Sequence, residues 1–201
     1  MIRDLRRVRT FLMENPSEVV IIMLEQYVNT SDLVGLFYDA GLAPFLYNTT
    51  SSPTASNGTF AWPTFEDLGD AGTTLLVFND EIPGGRLNLA PPPWMLYQWH
   101  FAVETMYGMA SVEELATCEL NRGRQSDDYL GSGRHMHDNM LLIHNVFLTA
   151  PVATPALADS VNHSPILNDI VARCRDGFFG GRAGVLVTVD FWSIGDVVVM
   201  T

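Results

Sequence analysis

The chain has 201 residues, 47% of them hydrophobic, a mean hydropathy of +0.13, and 11 basic against 23 acidic side chains for a formal net charge of −12. That is long enough for a real core and too apolar for a disordered chain, and its negative field disfavours nucleic acids. All 11 basic residues are Arg, which excludes Schiff-base and P-loop lysine chemistry and leaves Arg, a helix N-terminus or a metal to hold any phosphate.

From Ile2 to about Glu14 apolar residues recur at helical spacing, with Arg3, Arg6, Arg7 and Arg9 on a solvated face. Asn15-Pro16 ends that helix. The run Val19 to Leu24 reads as a strand and stops at Glu25. Ser31-Asp32 caps a second helix that closes at Gly41. Residues 48–61, rich in Ser, Thr, Asn and Gly, read as a surface loop. Thr64 caps a short helix with Glu66 and Asp67 at its positive end, closing at Gly69 or Gly72. The run Thr74 to Phe78 is a second strand and stops at Asn79-Asp80.

Further on, Trp99 to Glu104 reads as a strand, Glu113 to Leu115 as a brief helix, and residues 123–138 as a polar loop. Within that loop His135-Met136-His137-Asp138 is metal-like but lacks a third ligand nearby. Met140 to Ile143 is a strand stopping at His144-Asn145, where alternation turns one residue inward. Asn145 is assigned to the rim and His144 to a satisfied place in the wall. A helix from Pro165 to Arg175 and a glycine cluster precede the strand Val185 to Val189, which stops at Asp190.

Strands alternating with helices predict a parallel α/β fold. Short β-branched runs without alternation predict strands buried on both faces. In an α/β barrel the C-terminal strand ends share one rim, so Glu25, Asp80 and Asp190 become acid–base candidates. A full (β/α)₈ barrel takes roughly 250 residues, so the expectation is a partial TIM-like barrel, one incomplete domain over residues 1–201 with its early strands missing. No apolar run is long enough to cross a bilayer. Cys118 and Cys174 are compatible with one disulfide or with two buried thiols. Glycosylation sequons begin at Asn29, Asn48, Asn57 and Asn162, which points to an extracellular, secreted protein whose leader precedes this chain.

Several blocks carry a resemblance. They include Asn15-Pro16-Ser17-Glu18-Val19-Val20, Leu24-Glu25-Gln26-Tyr27-Val28 and Trp62-Pro63-Thr64. Val103-Glu104-Thr105-Met106-Tyr107-Gly108, Cys118 with Asn121-Arg122, Ile143-His144-Asn145-Val146-Phe147-Leu148 and Val189-Asp190-Phe191-Trp192 continue the series. In order and spacing the chain resembles the secreted phospholipase-C-like phosphodiesterases of fungi and plants, relatives of phosphatidylinositol-specific phospholipase C.

The resemblance implies a distorted TIM-like barrel that cleaves a small-molecule or lipid phosphodiester, a hydrolase of lipid metabolism. Two histidines act as general base and acid while the inositol 2-hydroxyl attacks phosphorus. Both lie on strands ahead of the matched blocks, so the chain is expected to cover the C-terminal two thirds and to be inactive alone. Asp190 matches a carboxylate that orients a catalytic histidine. Glu25 matches a calcium-binding glutamate of the metal-dependent relatives, making a divalent cation (Ca) the one cofactor implied. Asp80 stands where relatives place a basic substrate-binding residue. Thr105 and Tyr107 match a rim position, and with Asn145 and Trp192 they make up the expected substrate-binding set. Two alternatives stand beside this: a non-catalytic binding module, and a glycoside hydrolase using Glu25 and Asp190.

Overall fold

The computed structural model describes residues 1–49, 61–81, 91–123, 140–181, 184 and 186–196. The sequon at Asn57 and the His135–Asp138 motif lie outside the described residues. The chain divides into two compact units, Met1–His100 and Phe101–Thr201.

In the first unit α1 (Ile2–Glu14) turns Leu5 and Leu12 inward. Asn15 ends it, with its backbone N–H and its Nδ2 both donating to the Phe11 carbonyl, each at 2.9 Å. After β1 (Val20–Leu24), α2 (Thr30–Asp39) begins just ahead of the expected Ser31-Asp32 cap, with Asn29 at its N-cap. The expected capping of α3 (Phe65–Ala71) is present: Asp67 N–H donates to Thr64 Oγ1 at 3.1 Å, and Thr64 N–H donates to Asp67 Oδ2 at 2.9 Å. Gly72 closes α3 at φ +67°, a backbone that favours glycine. Then come β2 (Leu75–Asn79), buried along its whole length, and β3 (Met95–Tyr97). The three strands form one parallel sheet in the order β1-β2-β3. Leu12, Phe37, Leu42, Leu75 and Val77 form its core, with Trp94 tilted on Phe37 at 5.2 Å.

The strand expected from Trp99 begins only at Ala102. A helical turn, α4 (Gln98–Phe101), precedes β4 (Ala102–Thr105). Short aromatic runs carry no decisive period, which is why the boundary was misplaced.

The second unit continues with α5 (Val112–Leu115), β5 (Leu120–Arg122), β6 (Leu141–Asn145), α6 (Pro155–Val161), α7 (Ser164–Gly177) and β7 (Leu186–Thr188). Its sheet runs β5-β4-β6-β7, with β4, β6 and β7 parallel and β5 antiparallel to β4. Val103, Leu142, Val146, Leu167 and Ile170 form the core around a Cys118–Cys174 disulfide, Cα–Cα 5.4 Å. The structure thus takes the disulfide over two free thiols.

Both units are α/β with parallel strands, as the alternation predicts. The described strands make two open sheets of three and four, and no closed barrel is present among the described residues. No described helix is long and apolar enough to cross a membrane.

Candidate functional site

Parallel pairing brings the first two strand ends together. Leu24 of β1 lies opposite Asn79 of β2, so Glu25-Gln26 and Asp80 follow side by side. Asp80 N–H donates to the Leu24 carbonyl at 3.1 Å, and Gln26 N–H donates to Asp80 Oδ1 at 2.9 Å. Asp80, half-buried, thereby holds the chain as it leaves β1. Glu25 is exposed and accepts a hydrogen bond from the Tyr27 hydroxyl at 3.1 Å. That bond, then the charge of Glu25, raises the Tyr27 phenol above its ordinary range.

Beneath these acids lies an amide pair that sequence reasoning missed. Gln26 and Asn79 are 5% and 3% exposed. Asn79 Nδ2 donates to Gln26 Oε1, and Gln26 Nε2 donates to the Val28 carbonyl (2.8 Å) and Thr30 Oγ1 (3.0 Å). Each amide is neighbour to a candidate acid at a strand end, and alternation sends one of two neighbours inward. That was the available signal. Calcium takes six to eight oxygen ligands. Asp80 has one oxygen engaged by Gln26, and no cluster of three or more metal-ligating side chains gathers among the described residues. This donor set does not by itself form a calcium cage.

In the second unit three parallel strands end in one network. Asn145 N–H donates to Thr105 Oγ1, and Asn145 Nδ2 donates to the Thr105 carbonyl, both at 2.9 Å. Thr188 Oγ1 donates to Asn145 Oδ1 at 2.7 Å. Thr105 and Asn145 are both buried. Their polar atoms satisfy one another and brace the ends of β4, β6 and β7. Tyr107 and Trp192 are exposed, as a rim role requires. The Arg122 guanidinium lies over the Tyr107 ring at 4.5 Å and pairs through Nε with Glu104, itself 4% exposed. Neither Arg122 nor Glu104 had been singled out as a site residue.

Asp190 stands two residues beyond β7. Its carbonyl accepts from Asn162 Nδ2 at 2.8 Å. Its Oδ2 is shielded from solvent and has no hydrogen-bond partner among the described residues, although the residue as a whole is half-buried. A shielded carboxylate oxygen without a donor is poised to accept one.

His144 is the other exception. It is 1% exposed, packs edge-on against Phe179, and its Nε2 has no partner among the described residues, so it is a wall residue whose second nitrogen these residues do not satisfy. Burial pushes its pKa down from 6.5 to about 4. The folded-state value lies below the unfolded one, so the unfolded chain binds the extra proton between those values. Unfolding free energy should therefore fall by about 3 kcal/mol as pH drops from about 6.5 to about 4. His144→Gln should flatten that limb in urea titrations. An unchanged acid slope would assign the loss to other groups.

Among the sequons, Asn29 is exposed and Asn48 half-buried. Asn162 is 1% exposed, and its Nδ2, the atom a glycan would occupy, is engaged by backbone carbonyls.

A family model described as PI-PLC X 1 matches residues 1–201. A PI-PLC X domain-containing protein of Arabidopsis thaliana is 29% identical over 197 residues, covering 97% of this chain and 41% of that protein. The chain thus spans about two fifths of the length of that curated relative. No solved structure matches.

Proposed function

Because the chain belongs to the PI-PLC X domain family, we propose that its protein is a phosphoric diester hydrolase of the phosphatidylinositol-phospholipase-C-like class. The observation that carries this is Asp190. Its backbone is held by Asn162, and its Oδ2 is shielded and without a donor. Such a carboxylate accepts the N–H of an imidazole, fixes the tautomer and stabilises the charged ring while the other nitrogen moves a proton. The resemblance puts the proton-transferring histidines on strands ahead of the matched blocks. Asp190 is what this chain contributes to them.

The remaining assignments follow from chemistry. Tyr107 offers an exposed ring and hydroxyl to a polyol or phosphate, and Arg122 beside it supplies positive charge in a chain without Lys. Trp192 offers apolar area to a lipid. Glu25, the exposed carboxylate just beyond β1, would be this chain's one ligand to a divalent cation whose other donors come from elsewhere. The family's TIM-like barrel is the architecture to which we assign the parallel strands of each unit. An oxidising, extracellular location is supported by the disulfide and by an exposed sequon at Asn29.

The test is turnover by the full-length protein of phosphatidylinositol in mixed vesicles and of a nitrophenyl phosphodiester, each with and without EDTA. Release of phosphorylated inositol or nitrophenol supports the reading. No turnover of either substrate under any condition overturns it.

A further inference from the structure

Asp190 has left the sheet before its side chain is placed. β7 ends at Thr188, and the next hydrogen bonds that fix the chain come from elsewhere. Asn162, the residue that ends α6, supplies them. Its Nδ2 donates to the carbonyls of Asp190 (2.8 Å) and Phe191 (3.4 Å). Its own carbonyl accepts from Asp196 N–H at 3.2 Å. Next to it, Ser164 N–H donates to Asp196 Oδ1 at 2.6 Å, and Ser164 Oγ donates to Asp196 Oδ2 at 2.5 Å. Both ends of segment 190–196 are therefore tied to residues 162–164.

The segment's shape is set to meet that anchor. Phe191 takes φ +49°, a left-handed backbone unusual for a non-glycine residue. Gly195 lies against Asn162 so closely that a Cβ would stand 2.3 Å from the Asn162 carbonyl oxygen. Packing alone does not account for an amide here. Asn162 is 1% exposed and its Oδ1 has no partner among the described residues, a desolvation cost that an apolar side chain would avoid. What the amide alone supplies is the pair of N–H donors on Asp190 and Phe191.

We propose that Asn162 is the positioning residue for Asp190: it anchors segment 190–196 and so fixes where the Asp190 carboxylate stands. The role of Asp190 rests on the phosphodiesterase reading; the anchoring itself does not.

Two measurements on the full-length protein separate these. Asn162→Asp keeps the shape and loses both donors, and Asn162→Ala loses the side chain. Amide hydrogen exchange in 190–196 should quicken about tenfold or more, while β6 and α7 keep their protection. On a nitrophenyl phosphodiester kcat should fall by about 100-fold, with KM within about twofold, because a displaced group loses transition-state alignment before it loses binding. Should Asn162→Ala fail to fold, Gly195→Ala disturbs the other end of the anchor, where its Cβ would collide with the Asn162 carbonyl that accepts from Asp196 N–H. Wild-type exchange in 190–196, or loss of protection spread evenly over the second unit, would overturn the inference. If wild-type protein turns over no phosphodiester, the functional reading fails and the exchange data alone decide the anchor.

Discussion

Asp190→Asn in the full-length protein is expected to lower kcat on a phosphodiester by roughly three to four orders of magnitude, with the melting temperature unchanged within about 2 °C. The substitution keeps the outline of the side chain and leaves the Asp190 carbonyl free to accept from Asn162. What changes is the chemistry at the shielded oxygen. A carboxylate accepts an imidazole N–H and offsets the charge the ring acquires. A carboxamide supplies no charge, and through its NH₂ it can select the wrong tautomer. Folding has little to lose, because Oδ2 makes no hydrogen bond to any described residue. The measurement is kcat and KM alongside a thermal scan. Near-wild-type rates would remove Asp190 from the site; a melting temperature lowered by more than about 5 °C would make it a structural residue.

The parts of this arrangement that were legible in the sequence share a physical cause. β1, β2 and β6 open on short runs of apolar, largely β-branched or leucine side chains, and polar residues at or just beyond their ends mark the ends of parallel strands. The run before β7 ends the same way, so Glu25, Asp80 and Asp190 stand out as candidates from the sequence. β3 and β5 have three residues each, too few to show any period, and so went unseen. α6 was missed although Thr154-Pro155 carries a start signal, with Thr154 Oγ1 accepting from Leu157 N–H at 3.2 Å. The neutral amides were the larger gap. Asn79 and Gln26 meet across 53 positions of sequence, and Asn162 reaches Asp190 across 28. Place beside a strand-end acid is the one mark that Gln26 and Asn79 leave on the sequence; only the fold shows which groups such an amide holds. The same limit hides the pairing of Thr105 with Asn145, whose polar atoms meet across neighbouring strands.

Breaking the disulfide is expected to cause the largest loss of stability. Cys118 and Cys174 are 56 positions apart, and closing a loop of that length restricts the unfolded chain by about 4 kcal/mol. The bond ties the turn between α5 and β5 to the last turn of α7, and both cysteines lie within the second unit's core beside Leu115, Leu167 and Ile170. Cys118→Ala with Cys174→Ala should therefore lower the unfolding free energy by about that amount and the melting temperature by about 10 °C. Dithiothreitol should reproduce the shift in the wild-type protein and add nothing to the double variant. Because α7 also carries Ser164, which holds Asp196, the reduced protein should lose the proposed phosphodiester turnover at temperatures where its first unit remains folded. Two free thiols titrated from the denatured, unreduced protein would overturn the premise, and an unchanged melting temperature in the double variant would show that the core alone holds α7 in place.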